Sequence, residues 1–371
     1  MPIQTTNIFD YEAEDPTGLG LVYAGPGIKW TVAKDVFVGA SKVAVYSEHN
    51  GSKLINKGEI SSDRTGVHFE AKENGTVINK AGASIFGTYG VTVGTLASKN
   101  MKVVNHGEIF GHQSHGVMAA DVSNFYLHNT GEIFGRQGGV HTLAGSPAMS
   151  VGATIINDGT IRSDVYGIYA QAIPGLVTTI VNGKHGTIAG AEFAIRCTPG
   201  QLSLENRGKI KGVVYSADLD DVVVNHGRIK GEVVLNGGDD TFRSKGGKAG
   251  IVHGGDGNDT LLAGSSKDVF AFDTALEAQS NVDRIKHFDP GKDKLALDQG
   301  VFAALDGGKK LSAAMFHEGK QAADADDHII YDKATGRLFY DADGSGDGAQ
   351  IEFARLDKGQ KLHSGDFLVF T

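Results

Sequence analysis

The sequence predicts an all-β fold, a right-handed parallel β-helix with three short strands per coil, and three observations predict it. The pattern N-x-G-x-I recurs along more than half of the chain, with its asparagine at Asn56, Asn79, Asn105, Asn129, Asn157, Asn182, Asn206 and Asn225. Each repeat holds three runs that are too short for a helix and rich in β-branched residues, such as ATIIN, GTIRS and GIYA. Glycine is about twice as frequent as in an average protein, 53 residues against 7 prolines, while apolar residues hold at 40%. The glycine therefore belongs to the turns of a folded chain.

Composition narrows the functions that this fold can serve. A net charge of −9 with 44 acidic residues disfavours a nucleic-acid groove and suits cations as partners. The single cysteine, Cys197, builds neither a disulfide framework nor a cysteine zinc site, and reads as a small buried side chain. The beginning, MPIQTTNIFDYEAED, has no basic segment followed by an apolar run, and no 18-residue apolar stretch predicts a transmembrane segment. An export signal, if used, is expected elsewhere.

Taken in order, residues 1–52 are less repetitive, hold Trp30 and are expected to cap the open end of the solenoid. Residues 53–235 form the β-helix. Successive asparagines are 23, 26, 24, 28, 25, 24 and 19 residues apart, and the copies at Asn79 and Asn182 carry two extra residues before their isoleucine, as loops around a fixed unit do. Stacking coils about 4.8 Å apart would turn Ile60, Ile109, Ile133, Ile161, Ile210 and Ile229 into one inward ladder. The asparagine amides are expected to bond from coil to coil, with the following glycine permitting positive φ.

Residues 236–271 change the chemistry while keeping the glycine turns. The run Gly254-Gly255-Asp256-Gly257-Asn258-Asp259-Thr260-Leu261-Leu262 fits the nonapeptide G-G-x-G-x-D-x-U-x in full. Such a loop aims carbonyls and a carboxylate at a hard cation, and the apolar residue then enters the core. Calcium takes six to eight oxygens at about 2.3–2.6 Å, so one loop needs a stacked neighbour. Two partial copies are available, Gly237-Gly238-Asp239-Asp240-Thr241-Phe242 one coil earlier and Asp268-Val269-Phe270 half a coil later. One or two calcium ions are expected on Asp239, Asp240, Gly254, Asp256, Asn258, Asp259 and Asp268; the plainer alternative is a set of Gly-Asp turns.

The 254–271 run resembles the RTX (repeats-in-toxin) calcium-binding β-roll, and VVLNGGDDTF with GIVHGGDGNDTL resembles RTX proteins in which a β-helix runs into the roll. The segments DVFAFDTALEAQSNVDRIKHFDPGKDKLALD, AADADDHIIYDKATGRLFYDADGSG and DFLVF are similar to the C-terminal part of alphaproteobacterial RTX proteins exported by type I secretion. The similarity spans about 236–371 and departs from long RTX rolls in having one complete nonapeptide. It implies an uncleaved C-terminal export signal, an extracellular location and folding triggered by external calcium.

Residues 272–371 alternate as β-hairpins, HIIYD, GRLFYD and QIEFARL, which are expected to cap the far end. The loop with Asp341, Asp343 and Asp347, followed by Glu352, has the oxygen spacing of an EF-hand loop on strand flanks, and an acidic hairpin turn is the alternative. On the β-helix, Phe86, Phe110 and Phe134 are expected as an outward stripe beside Glu108 and Glu132. The stripe is either a platform for an extracellular polysaccharide, with the two glutamates as an acid/base pair, or a covered or protein-contacting patch. His112-Gln113-Ser114-His115 reads as a solvated turn. No G-x-S-x-G, H-E-x-x-H, P-loop or YG-x-DPH pattern of the alginate epimerases occurs. The expected function is therefore a secreted, non-catalytic calcium-binding interaction module, with a polysaccharide lyase, hydrolase or epimerase as the alternative.

Overall fold

The computed structural model describes residues 3–6, 8–10, 18–94, 97–144, 152–305 and 308–371. It is all-β and divides into two compact units, Met1–Val214 and Tyr215–Thr371, each a parallel β-solenoid. The division falls earlier than the composition change at 236, because the first coil of the second unit already uses the shorter repeat.

In the first unit a coil contributes three strands, for example Lys53–Asn56, Glu59–Ser62 and Thr65–Phe69, the second and third merging into one in Thr187–Cys197. Each pairs in parallel with its counterpart in the next coil, Lys53–Asn56 with Thr76–Asn79 and that in turn with Lys102–Asn105. The asparagines are in register from Asn56 to Asn206. Each is fully buried, and from Asn56 to Asn182 each amide donates to the next coil's asparagine at 2.8–2.9 Å. The ladder so satisfies polar groups that a solenoid corner would otherwise strand inside the core.

The inward isoleucine ladder runs Ile60, Ile85, Ile109, Ile133, Ile161, Ile188, all in register and at most 1% exposed. Ile85 and Ile188 come from the two copies with extra residues, whose turns close through Ala83 N to Lys80 O and Gly186 N to Gly183 O. Insertion is absorbed in the turn, and the core position is kept.

Two expectations are corrected here. The glycine after each asparagine is not needed for a left-handed backbone, since Gly107, Gly131 and Gly159 have no positive φ. It is needed for close approach: a Cβ on Gly131 would lie 2.0 Å from Gly107 O, and one on Gly159 2.1 Å from Gly131 O. The second correction concerns residues 1–52, whose described residues wind as further coils rather than a separate cap. Lys29–Val32, Phe37–Ala40 and Val43–Ser47 pair in parallel with the three strands of the 53–69 coil, and Ile3–Gln4, Ile8–Asp10 and Leu19–Val22 form a coil before them. Residues 11–17 of the expected cap lie outside the described residues.

The second unit winds more tightly. Val222–Asn225, Thr241–Ser244 and Thr260–Leu262 stack in parallel with Thr241 opposite Thr260, a repeat of nineteen residues. Parallel pairing does not stop at 271: Asp283–Lys286 follows Thr260–Leu262, and Lys294–Asp298 follows Val269–Phe272 and is followed by Phe367–Phe370. Antiparallel strands pair in the C-terminal part, where Arg337–Tyr340 joins Ile329–Asp332 to Ile351–Arg355. The hairpins are therefore present, and the parallel coils extend further than the glycine-rich sequence. Among the described residues no helix is long and apolar enough to cross a membrane.

Candidate metal centre

The second unit stacks its acidic corners directly over one another. The turns 216–221, 235–240 and 254–259 each enter a first strand, and nineteen-residue periodicity brings Asp221, Asp240 and Asp259 into one column. Consecutive residues of an extended chain point to opposite sides, so each corner gives one inward and one outward side chain. Asp221, Asp240, Asp259 and Asp283 face inward and are at most 3% exposed. Asp240 Oδ1 accepts from Asp221 N at 2.6 Å, Asp259 Oδ1 from Asp240 N at 2.8 Å, and Asp283 Oδ1 from Asp259 N at 3.1 Å.

The outward column is Asp220, Asp239 and Asn258, exposed to solvent. Asp220 Oδ1 accepts from Asp239 N, Asp239 Oδ1 from Asn258 N and Asn258 Oδ1 from Val282 N, at 2.8, 2.9 and 3.2 Å. Asp256 is exposed, and its carbonyl accepts from Gly238 N. A Cβ on Gly254 would stand 2.0 Å from Asp259 Oδ2, so that carboxylate lies directly over the glycine. Gly255 and Gly257 have φ of +105° and +128°, and a Cβ on either would run into the backbone of the preceding corner. Here the nonapeptide glycines serve both backbone handedness and close packing.

The seven expected site residues do not form one cluster. Asp239, Asp240, Gly254, Asp256, Asn258 and Asp259 share the corner just described. Asp268 belongs to another, where its Oδ2 accepts from Gly264 N at 2.7 Å and its own N–H donates to Asp293 Oδ1 at 3.0 Å. It follows Asp259 by half a coil, and half a coil is the other side of the solenoid wall. Sequence reasoning missed Asp221, Asp283 and Asp293. The nineteen-residue spacing points to Asp221, whereas the inserted residues before Asp283 hide its register.

Whether these residues suit a cation is decided by their oxygens. Asp240 Oδ2, Asp259 Oδ2 and Asp268 Oδ1 are buried and accept no hydrogen bond. A buried carboxylate oxygen without partner is costly, and a carboxyl answers by binding a proton or a metal ion. Burial, reinforced by the charges of Asp259, Asp221 and Asp220, pushes Asp240 up to about 9. Burial with Asp239 and Asp256 nearby pushes Asp259 up to about 7. Asp283 rises for the same reason, burial first and Asp259 second, and Asp268 rises through burial, with Asp293 adding to it. Among the described residues no three His, Cys, Asp or Glu side chains converge as a ready-made metal cage. The donors on offer are oxygens alone, so a cation here would draw on backbone carbonyls and water as well, in the manner of calcium rather than zinc.

No protein-family model matches the chain, and no curated protein does. Among solved structures the chain is similar to the AlgE6R3 subunit from the Azotobacter vinelandii mannuronan C5-epimerase, at 23% identity over 40% of this chain and 78% of that one, with a TM-score of 0.26. A likeness at that level carries no statement about activity.

The phenylalanine stripe of the first unit is present, with Phe86, Phe110 and Phe134 in register beside Glu108 and Glu132. Its rings lie parallel on each other, with centroids 4.7 and 4.6 Å apart, and the Arg162 guanidinium sits 4.4 Å from the Phe134 centroid. The faces between the rings are thus taken up by one another, and Arg162 covers Phe134, while Phe86 at the other end of the stack is 41% exposed. Sugar rings stack on aromatic faces, and the faces between stacked rings are closed to them. Glu132 is engaged as well, by Arg162 Nε at 2.6 Å. His115 is no solvated turn: it opens a strand, bonds Ser114 Oγ at 2.8 Å and packs 4.8 Å from the His141 ring.

Proposed function

We propose that this chain is a calcium-binding β-solenoid acting outside the cell as a non-catalytic interaction module, and that its acidic corner in 215–298 is where the cation is taken up. The observation that carries this reading is the column of buried aspartates whose second oxygens, Asp240 Oδ2 and Asp259 Oδ2, have no partner. The complete nonapeptide at 254–262 and the resemblance of 236–371 to type I-secreted RTX proteins support the same reading and supply its extracellular part.

When bound, calcium supplies positive charge where carboxylates are otherwise forced together. Asp240 and Asp259 would hold it, with the carbonyl-rich corners 236–240 and 255–259 completing its shell. Asp239 and Asn258 act differently: each ties its corner to the next through a main-chain N–H, which sets the spacing between corners. Extracellular modules bind calcium at about 0.1–1 mM, matching a free concentration on the order of millimolar outside cells.

Hydrogen exchange with and without chelator tests the proposal. Calcium is expected to raise protection of the amides of 236–262 by at least tenfold, because binding is coupled to closing these corners. Protection in the asparagine coils is the internal control. Equal exchange of 236–262 in millimolar calcium and in chelator refutes the assignment.

A further inference from the structure

We propose a second, independent hard-cation site in the C-terminal hairpins, formed by Asp341 and Asp343 in the 341–348 turn. This turn joins Arg337–Tyr340 to Ile351–Arg355 and packs on the acidic segment 323–327. Ser345 N donates to Asp324 O at 2.9 Å, and Gly344, at φ +61°, lies so close to the backbone that a Cβ would meet Ala325 O at 2.5 Å. Main-chain carbonyls of a neighbouring segment are thereby held against the turn.

The decisive feature is Asp341. Its residue is 5% exposed, and its Oδ1 is buried without a hydrogen-bond partner. Its carboxyl faces the side chain and main chain of Asp343, which adds a second acid to a site already short of donors. Around Asp343 the chain folds back tightly: Gly348 N donates to Asp343 Oδ2 at 3.0 Å, and a Cβ on Gly346 would fall 2.2 Å from the same oxygen. The nearest imidazole, His328, is occupied with Asp341 O at 2.8 Å. Two carboxylates in contact, one with a stranded oxygen and with carbonyls at hand, describe a site for a divalent cation of the calcium class.

The ligand set is not that of an EF-hand, despite the sequence spacing. Glu352, which would close such a loop, is buried in an ion cluster with Arg337 and Arg355 and is unavailable to a cation. The remaining oxygens come from turn carbonyls and water.

Titration calorimetry of the calcium-free full chain with calcium chloride tests this site apart from the corner at Asp240 and Asp259. Asp341→Asn and Asp343→Asn are each expected to bind one ion fewer than the wild type, while Asp259→Asn keeps that ion. Asp343 is exposed, so its substitution probes the site without burying an altered group, and near-UV circular dichroism verifies the fold of each variant. Wild-type stoichiometry in both Asp341→Asn and Asp343→Asn overturns the proposal, whatever Asp259→Asn does.

Discussion

Asn129 has no exposed surface, accepts from Asn105 at 2.8 Å and donates to Asn157 at 2.8 Å and to Thr160 O at 3.1 Å. Replacing it by alanine leaves buried groups of two neighbouring coils without partners, and each such group costs about 1–3 kcal/mol. Asn129→Ala is therefore expected to lower stability by about 3 kcal/mol in urea unfolding of the full chain. A loss below about 0.5 kcal/mol, the scale of an ordinary surface substitution, would mean that water replaces the amide and that the ladder is not what satisfies the corner. The aspartates at 240 and 259 form a different ladder, in which each Oδ1 accepts from the main-chain N–H of the preceding corner's aspartate. An asparagine amide both donates and accepts, so its ladder closes on itself; a carboxylate only accepts, so its ladder leaves one oxygen over.

At the scale of the coil, the corners are held at a separation that admits no side chain. Gly131 meets Gly107 O in that gap, whereas Gly82, at φ +76°, has nothing within 4 Å of its missing Cβ. Alanine at Gly82 faces only the left-handed backbone cost, about 1–2 kcal/mol. Alanine at Gly131 must spread two coils that are hydrogen-bonded on both sides. Gly131→Ala is accordingly expected to destabilise the chain more than Gly82→Ala, although only Gly82 has positive φ, and the reverse order in thermal unfolding would show that the coils give way. The stripe of Phe86, Phe110 and Phe134 belongs to the same scale. In-register stacking at the coil spacing lays ring on ring, so that three single-coil residues become one self-stacked column.

At the scale of the molecule, the two units answer differently to pH and to calcium. In the second, Asp240 and Asp259 have folded-state pKa values raised to about 9 and about 7 from 3.8, chiefly by burial. A carboxyl with a raised pKa binds its proton more tightly folded than unfolded. Its contribution is fully present below the unfolded value near 3.8 and is lost as pH climbs through about 7 and then about 9. The calcium-free chain should therefore unfold at lower temperature near pH 9 than near pH 5, with saturating calcium narrowing the gap as the ion takes the proton's place. The same melting temperature at both pH values without calcium would show that these carboxyls are not the strained groups described.

What the sequence determined by itself was whatever repeats. The N-x-G-x-I period set the fold, the three strands of a coil and the isoleucine core, and the GGDGND run marked the acidic corner at Asp239, Asp240, Asp256 and Asp259. These are local rules, since alternation and turn chemistry act within a few residues. Contacts between coils were decided only in three dimensions, because they depend on how many residues intervene and not on which. Stacking alone set Asp268 beside Asp293 and away from Asp259, admitted Asp221 and Asp283 to the buried column, and made coils of residues 18–52, whose side chains repeat no motif. It also turned the phenylalanine faces inward on each other, since parallel register at coil spacing leaves no room between rings for anything else.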